Sequence, residues 1–236
     1  MRPPEGRRRV RPSSWMRGAA VVMVVVYLTT IACANSQERA PEKKGTVPLA
    51  ANAPLVIFLG DSLTAGFGLA QDEAFPALVG EMLAASGHPV RVVNAGVSGD
   101  TTGDGLARLD WLLKQAPRVI VVGLGANDAF RGQDPGEAEQ NLQEIVSRAK
   151  ATGARVLLLG MKIPPSYGPM FSRGYGEIYA RVAKEQGVPL VPFLLEGVGG
   201  RADLNQNDGI HPNAQGQRIV AKTVAPYLEK VVAELR

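Results

Sequence analysis

The sequence is poor in residues that form covalent or metal cross-links. Its 236 residues include one cysteine, Cys33, and two histidines. A single cysteine excludes an intrachain disulfide, whatever the compartment. No set of Asp, Glu and His residues has the spacing of a metal site, so we expect no metal and no other cofactor. The sequence also has no internal repeat and no low-complexity tract.

The chain has no excess positive charge beyond its first 33 residues. The chain has a formal net charge of +4, but residues 1–33 contain six Arg and one Glu and carry +5 by themselves. The rest of the chain therefore carries −1. A body this close to neutrality lacks the basic surface that phosphate backbones attract, so nucleic-acid binding is not expected.

The first 33 residues have the layout of an export signal. The six arginines precede an uncharged, mostly apolar stretch at positions 18–32. A basic region, a short apolar region and a small residue before a cleavage site are typical of a signal peptide. The fifteen uncharged residues fall short of the ~20 that a membrane-spanning helix needs. We therefore predict export to the periplasm or cell envelope rather than a permanent transmembrane anchor.

Cys33 directly follows this stretch, and two interpretations of it stay open. Its position resembles that of the acylated cysteine of bacterial lipoproteins, which would attach the protein to a membrane through its N-terminus. Thr30 stands where that motif prefers Leu. The alternative is an incidental thiol near an ordinary cleavage site.

The remaining chain divides into a linker and one domain. Residues 34–53 are polar without an apolar period and predict a flexible linker, whereas residues 54–236 form the predicted domain. Five short apolar runs predict strands at 55–59, 90–93, 119–122, 156–159 and 190–193. Amphipathic segments between them predict helices, including one capped by Asp134 and a last one from about Asn213. This alternation predicts an α/β fold, a three-layer α/β/α sandwich with a five-stranded parallel sheet.

Polar clusters follow the first three predicted strands, and a fourth precedes the last helix. They are Gly60-Asp61-Ser62-Leu63, Asn94-Ala95-Gly96, Gly125-Ala126-Asn127-Asp128 and Asp208-Gly209-Ile210-His211. Functional groups of open parallel sheets gather beyond the carboxyl ends of the strands, so we expect these clusters to meet at one edge. Taken singly, each could be only a turn or a helix cap.

The clusters contain the three groups that nucleophilic catalysis by serine requires. A serine hydroxyl needs a base to take its proton and a carboxylate to orient that base. His88 lies in the loop before the second strand, at the opposite end of the sheet, where we expect an exposed residue. His211 is then the candidate base, with Asp208 three positions before it.

Two other motifs fit poorly. The α/β-hydrolase elbow requires Gly-x-Ser-x-Gly, but position 64 is Thr. Dinucleotide binding requires G-x-G-x-x-G, which the residues after Gly123 do not provide.

In this order the four clusters resemble the blocks of the SGNH (GDSL) hydrolases, over about residues 54–230. The sequence is most similar to the bacterial periplasmic thioesterase/lysophospholipase group, also called arylesterases. The resemblance implies a flavodoxin-like SGNH hydrolase fold. It also implies that Ser62 is the nucleophile, His211 the general base and Asp208 its orienting carboxylate. An oxyanion hole would be formed by the backbone N–H groups of Ser62 and Gly96 and the side-chain amide of Asn127.

The residues that follow the fourth predicted strand indicate the class of substrate. The resemblance implies that an acyl-binding groove includes Met161, Ile163, Pro164, Pro165 and Tyr167; an ordinary proline-stiffened loop is the alternative. The expected function is hydrolysis of small carboxylic esters or thioesters of acyl chains, with lysophospholipids among the candidates. A carbohydrate O-deacetylase and a non-catalytic envelope-binding protein are the alternatives, and the intact Ser62, Asp208 and His211 argue against the second. The sequence gives no sign of an oligomeric state.

Overall fold

A five-stranded parallel sheet is the centre of the structure, a computed structural model that describes residues 52–235. The strands in chain order are β1 (Leu55–Gly60), β2 (Arg91–Gly96), β3 (Val119–Gly123), β4 (Arg155–Leu159) and β5 (Leu190–Val191). Their spatial order is β2-β1-β3-β4-β5, and every pair is parallel. The predicted α/β fold with a five-stranded parallel sheet is confirmed. The predicted leader, Cys33 and nearly all of the predicted linker lie outside the described residues.

Two strand boundaries differ from the prediction by more than one residue. β2 continues three residues further, to Gly96, because β1 offers pairing partners up to Gly60. The apolar pattern does not reveal this continuation, since the residues concerned include Asn94. β5 ends at Val191 rather than at residue 193, because Pro192 has no N–H with which to extend the ladder.

Seven α-helices surround the sheet within the described residues. They are α1 (Ser62–Ala65), α2 (Phe75–Ala85), α3 (Thr102–Leu113), α4 (Ala126–Phe130), α5 (Pro135–Ala151), α6 (Pro169–Gln186) and α7 (Ala214–Ala233). Helices α2 and α7 pack together, and α5 packs between α3 and α6. The two groups form the two helical layers. Short 3₁₀ turns occur at Gln71–Glu73 and Pro165–Tyr167.

Local signals in the sequence place the longer helices. The Asp134 carboxylate accepts from the N–H groups of Gly136 and Glu137 at the start of α5, and Asn213 caps α7 in the same way. One face of α5 is fully buried, as its 3.6-residue period requires; its buried residues are Ala138, Leu142, Ile145, Val146 and Ala149. Burial of each Leu or Ile on such a face stabilises the fold by about 1.5–3 kcal/mol.

The register of the sheet determines where polar groups meet. Gly60 of β1 is level with Gly96 of β2 on one side and with Gly123 of β3 on the other. The loops that follow these three glycines therefore leave the sheet side by side. Among residues 52–235, no helix is both long enough and apolar enough to span a bilayer.

Candidate active site

The structure brings the hydroxyl, the imidazole and the carboxylate together at the carboxyl edge of the sheet. Ser62 is the first residue of α1, two positions after the end of β1. Its Oγ lies 2.8 Å from Nε2 of His211, and Nδ1 of His211 lies 2.7 Å from Oδ2 of Asp208. These distances are within hydrogen-bond reach, as nucleophile activation requires.

Asp208 fixes the tautomer of the imidazole. Its Oδ1 accepts from the backbone N–H groups of Ile210 and His211, each at 3.0 Å. The bond from the His211 N–H, followed by that from the His211 ring, lowers the pKa of Asp208 to about 2. An ionised carboxylate can only accept, so Nδ1 of His211 carries the hydrogen. Nε2 then has a free lone pair for the Ser62 hydroxyl proton.

Asn127 brings a neutral donor to the same edge. It lies in the first turn of α4, four residues after the end of β3, and lines the cavity beside Ser62. Its Nδ2 donates to the carbonyl of Asp100 at 2.9 Å and lies 3.5 Å from Oδ2 of Asp61. One amide hydrogen is thus firmly bound, and the other has only a long contact.

The prediction that the Gly96 N–H belongs to this site is wrong. That N–H donates to Oδ1 of Asn94 at 3.0 Å, and Gly96 is not among the cavity-lining residues. Glycine is needed at this position because a Cβ would stand 2.3 Å from the backbone nitrogen of Ala65, where α1 crosses the end of β2. Gly99, three residues later, does line the cavity. No acceptor for the Gly99 N–H is found among residues 52–235.

Asp61, which the sequence patterns do not single out as functional, is a buried residue directly before the nucleophile in the chain. The residue is 2% exposed. Its Oδ1 caps α1 by accepting from the N–H of Leu63 at 2.9 Å. Burial raises the pKa of Asp61 to about 7, although the Leu63 N–H and the nearby His211 oppose the rise. A carboxyl group that titrates near neutrality thus lies one residue from Ser62.

Polar bonds hold the loop after β2 in place. Nε of Arg108 donates to Oδ2 of Asp100 at 2.7 Å, and a second guanidinium nitrogen donates to the carbonyl of Gly60 at 3.0 Å. The Asp128 carboxylate accepts from the backbone N–H of Thr102 at 2.9 Å and so connects α4 to α3. No short motif marks these residues, because they act only through the folded loops.

A largely apolar cavity of about 680 Å³ opens beside Ser62. Met161, Ile163, Pro164 and Pro165 line it, as predicted. Tyr167 does not line it: its ring packs on that of Phe130, which does, with centroids 5.6 Å apart. The prediction missed seven further apolar lining residues, Leu63, Phe67, Ala126, Phe130, Phe193, Leu195 and Ile210. They come from distant segments, so no local pattern groups them.

The other histidine lies away from these groups. His88 is half-buried rather than exposed, and its Nδ1 is 3.2 Å from a carboxylate oxygen of Glu229 in α7. Across residues 52–235 no group of three or more His, Cys, Asp or Glu side chains is arranged to hold a metal ion.

Comparison with protein families identifies the chain. The model of the GDSL-like lipase/acylhydrolase family matches residues 58–219, which include Ser62, Asn127, Asp208 and His211. The protein belongs to this family. This GDSL-family chain is 43% identical over 183 residues to "Esterase TesA" of Pseudomonas aeruginosa, a match that covers 77% of this chain and 91% of that relative.

Further similarities agree with this membership. The chain is 42% identical over 184 residues to "Thioesterase 1/protease 1/lysophospholipase L1" of Escherichia coli K12, covering 78% of this chain and 87% of the relative. A crystal structure of TesA superposes with a TM-score of 0.73 at 43% identity, covering 75% of this chain and 99% of the TesA chain. The fold is therefore that of the SGNH hydrolases.

Proposed function

We propose that this GDSL-family enzyme is a serine esterase that cleaves carboxylic esters or thioesters of acyl chains through an acyl-enzyme. One observation carries the proposal: Ser62 Oγ and His211 Nε2 are 2.8 Å apart at the wall of an apolar cavity. The hydroxyl, base and carboxylate have the mutual distances that a serine nucleophile requires.

In the first half-reaction Ser62 Oγ attacks the substrate carbonyl carbon. Its proton moves to Nε2 of His211, and the ionised Asp208 stabilises the imidazolium through Nδ1–H. The tetrahedral intermediate then collapses, and Nε2 donates the proton to the leaving alcohol or thiol. Water repeats the sequence on the acyl-enzyme, releasing the carboxylic acid and restoring the Ser62 hydroxyl.

We assign the stabilisation of the negative charge on the carbonyl oxygen to three donors whose residues line the cavity. They are the backbone N–H groups of Ser62 and Gly99 and Nδ2 of Asn127. The Ser62 N–H belongs to the first turn of a helix, where it has no intrahelical acceptor. Each such donor typically contributes ~10²–10³ in kcat when it is aimed at the developing oxyanion.

The cavity favours an acyl chain over a sugar. Its walls come mainly from Met161, Ile163, Phe193 and other apolar side chains, and hydroxyl and amide groups form the smaller part of the lining. Each buried methylene of a substrate gains about 0.8 kcal/mol. The names of the two relatives, esterase and thioesterase/lysophospholipase, agree with acyl substrates. We also propose that residues 1–33 direct export, with Cys33 the candidate for acylation.

A chain-length series tests the proposal. We expect p-nitrophenyl esters to show a rise in kcat/KM from acetate to medium chains and Ser62→Ala to abolish hydrolysis of all of them. Ile163→Trp should depress the long-chain esters selectively, whereas Met170→Trp adds the same bulk at a residue that is 80% exposed and does not line the cavity. A flat profile with high activity on acetylated glycans would instead support an O-deacetylase. Undiminished activity of Ser62→Ala would refute the mechanism.

A further inference from the structure

We propose that Phe67 is a positioning residue for the base of this enzyme: its ring holds the His211 imidazole toward Ser62 and stabilises the imidazolium that forms during attack. The inference rests on the proposed serine-esterase function. It assigns a role to a side chain outside the hydroxyl, imidazole, carboxylate and oxyanion donors already described.

The first observation is the contact between the two rings. The centroids of Phe67 and His211 are 4.6 Å apart, and the ring planes are inclined by 35°. The imidazole therefore lies over the face of the phenyl ring rather than at its edge. Ring faces carry negative potential and attract cations, so this contact becomes stronger when the imidazole is protonated.

The second observation is how little else restrains the imidazole. Its Nδ1 edge is bound by Asp208, whose side chain is 37% exposed to solvent. Nε2 lies 2.8 Å from the Ser62 hydroxyl, so hydrogen bonds hold the ring only at its two nitrogens, and it can still swing about the line that joins them. The Phe67 ring covers one face of the imidazole and limits this swing.

The third observation is that one side chain ties Phe67 to the segment that carries His211. Nε2 of Gln206 donates to the carbonyl of Phe67 at 2.6 Å, and the backbone N–H of Gln206 donates to the carbonyl of His211 at 2.7 Å. Gly68 makes this approach feasible, since a Cβ at that position would stand 2.5 Å from Oε1 of Gln206. The two loops are thereby held together independently of the ring contact.

Exposure also fits a positioning role. Phe67 is 48% exposed although it is a large apolar residue. A residue so exposed adds little to the core, so its replacement should leave the fold intact.

The ionisable groups near His211 are Asp208, bonded to Nδ1, and the buried Asp61, while Lys162 lies in the same cavity lining. Substitution of Phe67 leaves all three in place.

The test measures His211 directly. The chain has only two histidines, so a tag-free preparation gives two imidazole Cε1–H resonances, and His88→Asn assigns them. We expect Phe67→Leu to lower the pH at which the His211 resonance shows its midpoint, because the variant loses one partly exposed cation–ring contact. Phe67→Tyr keeps an aromatic face and should restore the midpoint.

Kinetics with a short ester supplies the second readout. With p-nitrophenyl acetate, Phe67→Leu should lower kcat about three- to tenfold with little change in KM, and shift the midpoint of the kcat/KM profile downward in parallel. Phe130→Leu is the matched control, because Phe130 is also a half-exposed cavity aromatic but its ring contacts Tyr167. Phe130→Leu should change KM for long-chain esters but leave the midpoints of the His211 resonance and of the kcat/KM profile unchanged.

Two results would overturn the inference. The first is that Phe67→Leu changes neither the midpoint of the His211 resonance nor kcat. The second is that Phe67→Leu and Phe130→Leu lose activity equally, and only through a changed KM for long-chain esters. Failure of the proposed function is distinguishable, because Ser62→Ala would then hydrolyse esters as fast as the wild-type protein.

Discussion

Replacement of Asp208 by Asn tests whether this carboxylate sets the state of the imidazole. Oδ1 of the new amide can still accept from the N–H groups of Ile210 and His211, as it does now at 3.0 Å. The amide NH₂ then replaces Oδ2, which lies 2.7 Å from Nδ1 of His211. Two donors would face each other, so the imidazole should move its hydrogen from Nδ1 to Nε2. An Nε2–H cannot accept the Ser62 proton.

The expected loss of kcat in Asp208→Asn has two causes, the missing negative charge and the wrong tautomer of His211. A unit charge 2.7 Å from the imidazolium is worth about 1.5 kcal/mol at the dielectric of water, the appropriate limit for a side chain this exposed. Loss of the charge alone would therefore cost about tenfold. The wrong tautomer adds to this, and the same exchange in a buried triad costs ~10⁴ in kcat. Because water reaches Asp208, we expect a loss of about 10²–10⁴ in kcat.

Steady-state hydrolysis of p-nitrophenyl butyrate measures this loss. Asp203→Asn is the matched control, because Asp203 is an exposed carboxylate nearby that pairs with Arg201 rather than with His211. It should retain wild-type activity, and both variants should keep the wild-type unfolding temperature. If Asp208→Asn kept more than half of the wild-type kcat, the reasoning about the tautomer would be refuted.

Two further predictions concern residues around the nucleophile. Asn127→Ala removes an oxyanion donor and should lower kcat about 10²–10³-fold with little effect on KM, measured on the same ester; an unchanged kcat would remove Asn127 from the oxyanion hole. Asp61→Asn should stabilise the fold above pH 7. Burial raises the pKa of Asp61 to about 7 from its ordinary 3.8, so between these values the folded state holds a proton that the unfolded state has released. The stability of the wild-type protein therefore falls as pH rises from ~4 to ~7, whereas the neutral amide of the variant does not lose stability in this way. Urea unfolding at pH 5 and pH 8 should show a variant-minus-wild-type difference that grows by about 2–4 kcal/mol; no growth with pH would contradict the assignment.

The sequence predicts the parts of this protein that depend on local patterns. Continuous apolar runs indicate the central strands, and Asp134 and Asn213 mark helix starts that the structure confirms. Polar clusters at the ends of strands and before the last helix also lead to Ser62, Asp208 and His211, because a parallel sheet collects such residues at one edge.

The sequence does not predict the features that depend on contacts between distant segments. Gly96 fits the pattern of an oxyanion glycine, yet the packing of α1 explains that glycine, and its N–H is taken by Asn94. Burial of Asp61 and the stacking of Phe67 on His211 arise from loops far apart in sequence. Such environments follow from the folded arrangement and not from any spacing along the chain.

Covalent labelling of Ser62 tests the central claim most directly. An organophosphonate ester that reacts with activated serines should add one phosphonyl group per chain, located on Ser62 by peptide mass spectrometry, with loss of esterase activity in proportion to labelling. Ser62→Ala should remain unlabelled. Stoichiometric labelling of another residue, or full inactivation with Ser62 unmodified, would contradict the assignment of Ser62 as the nucleophile.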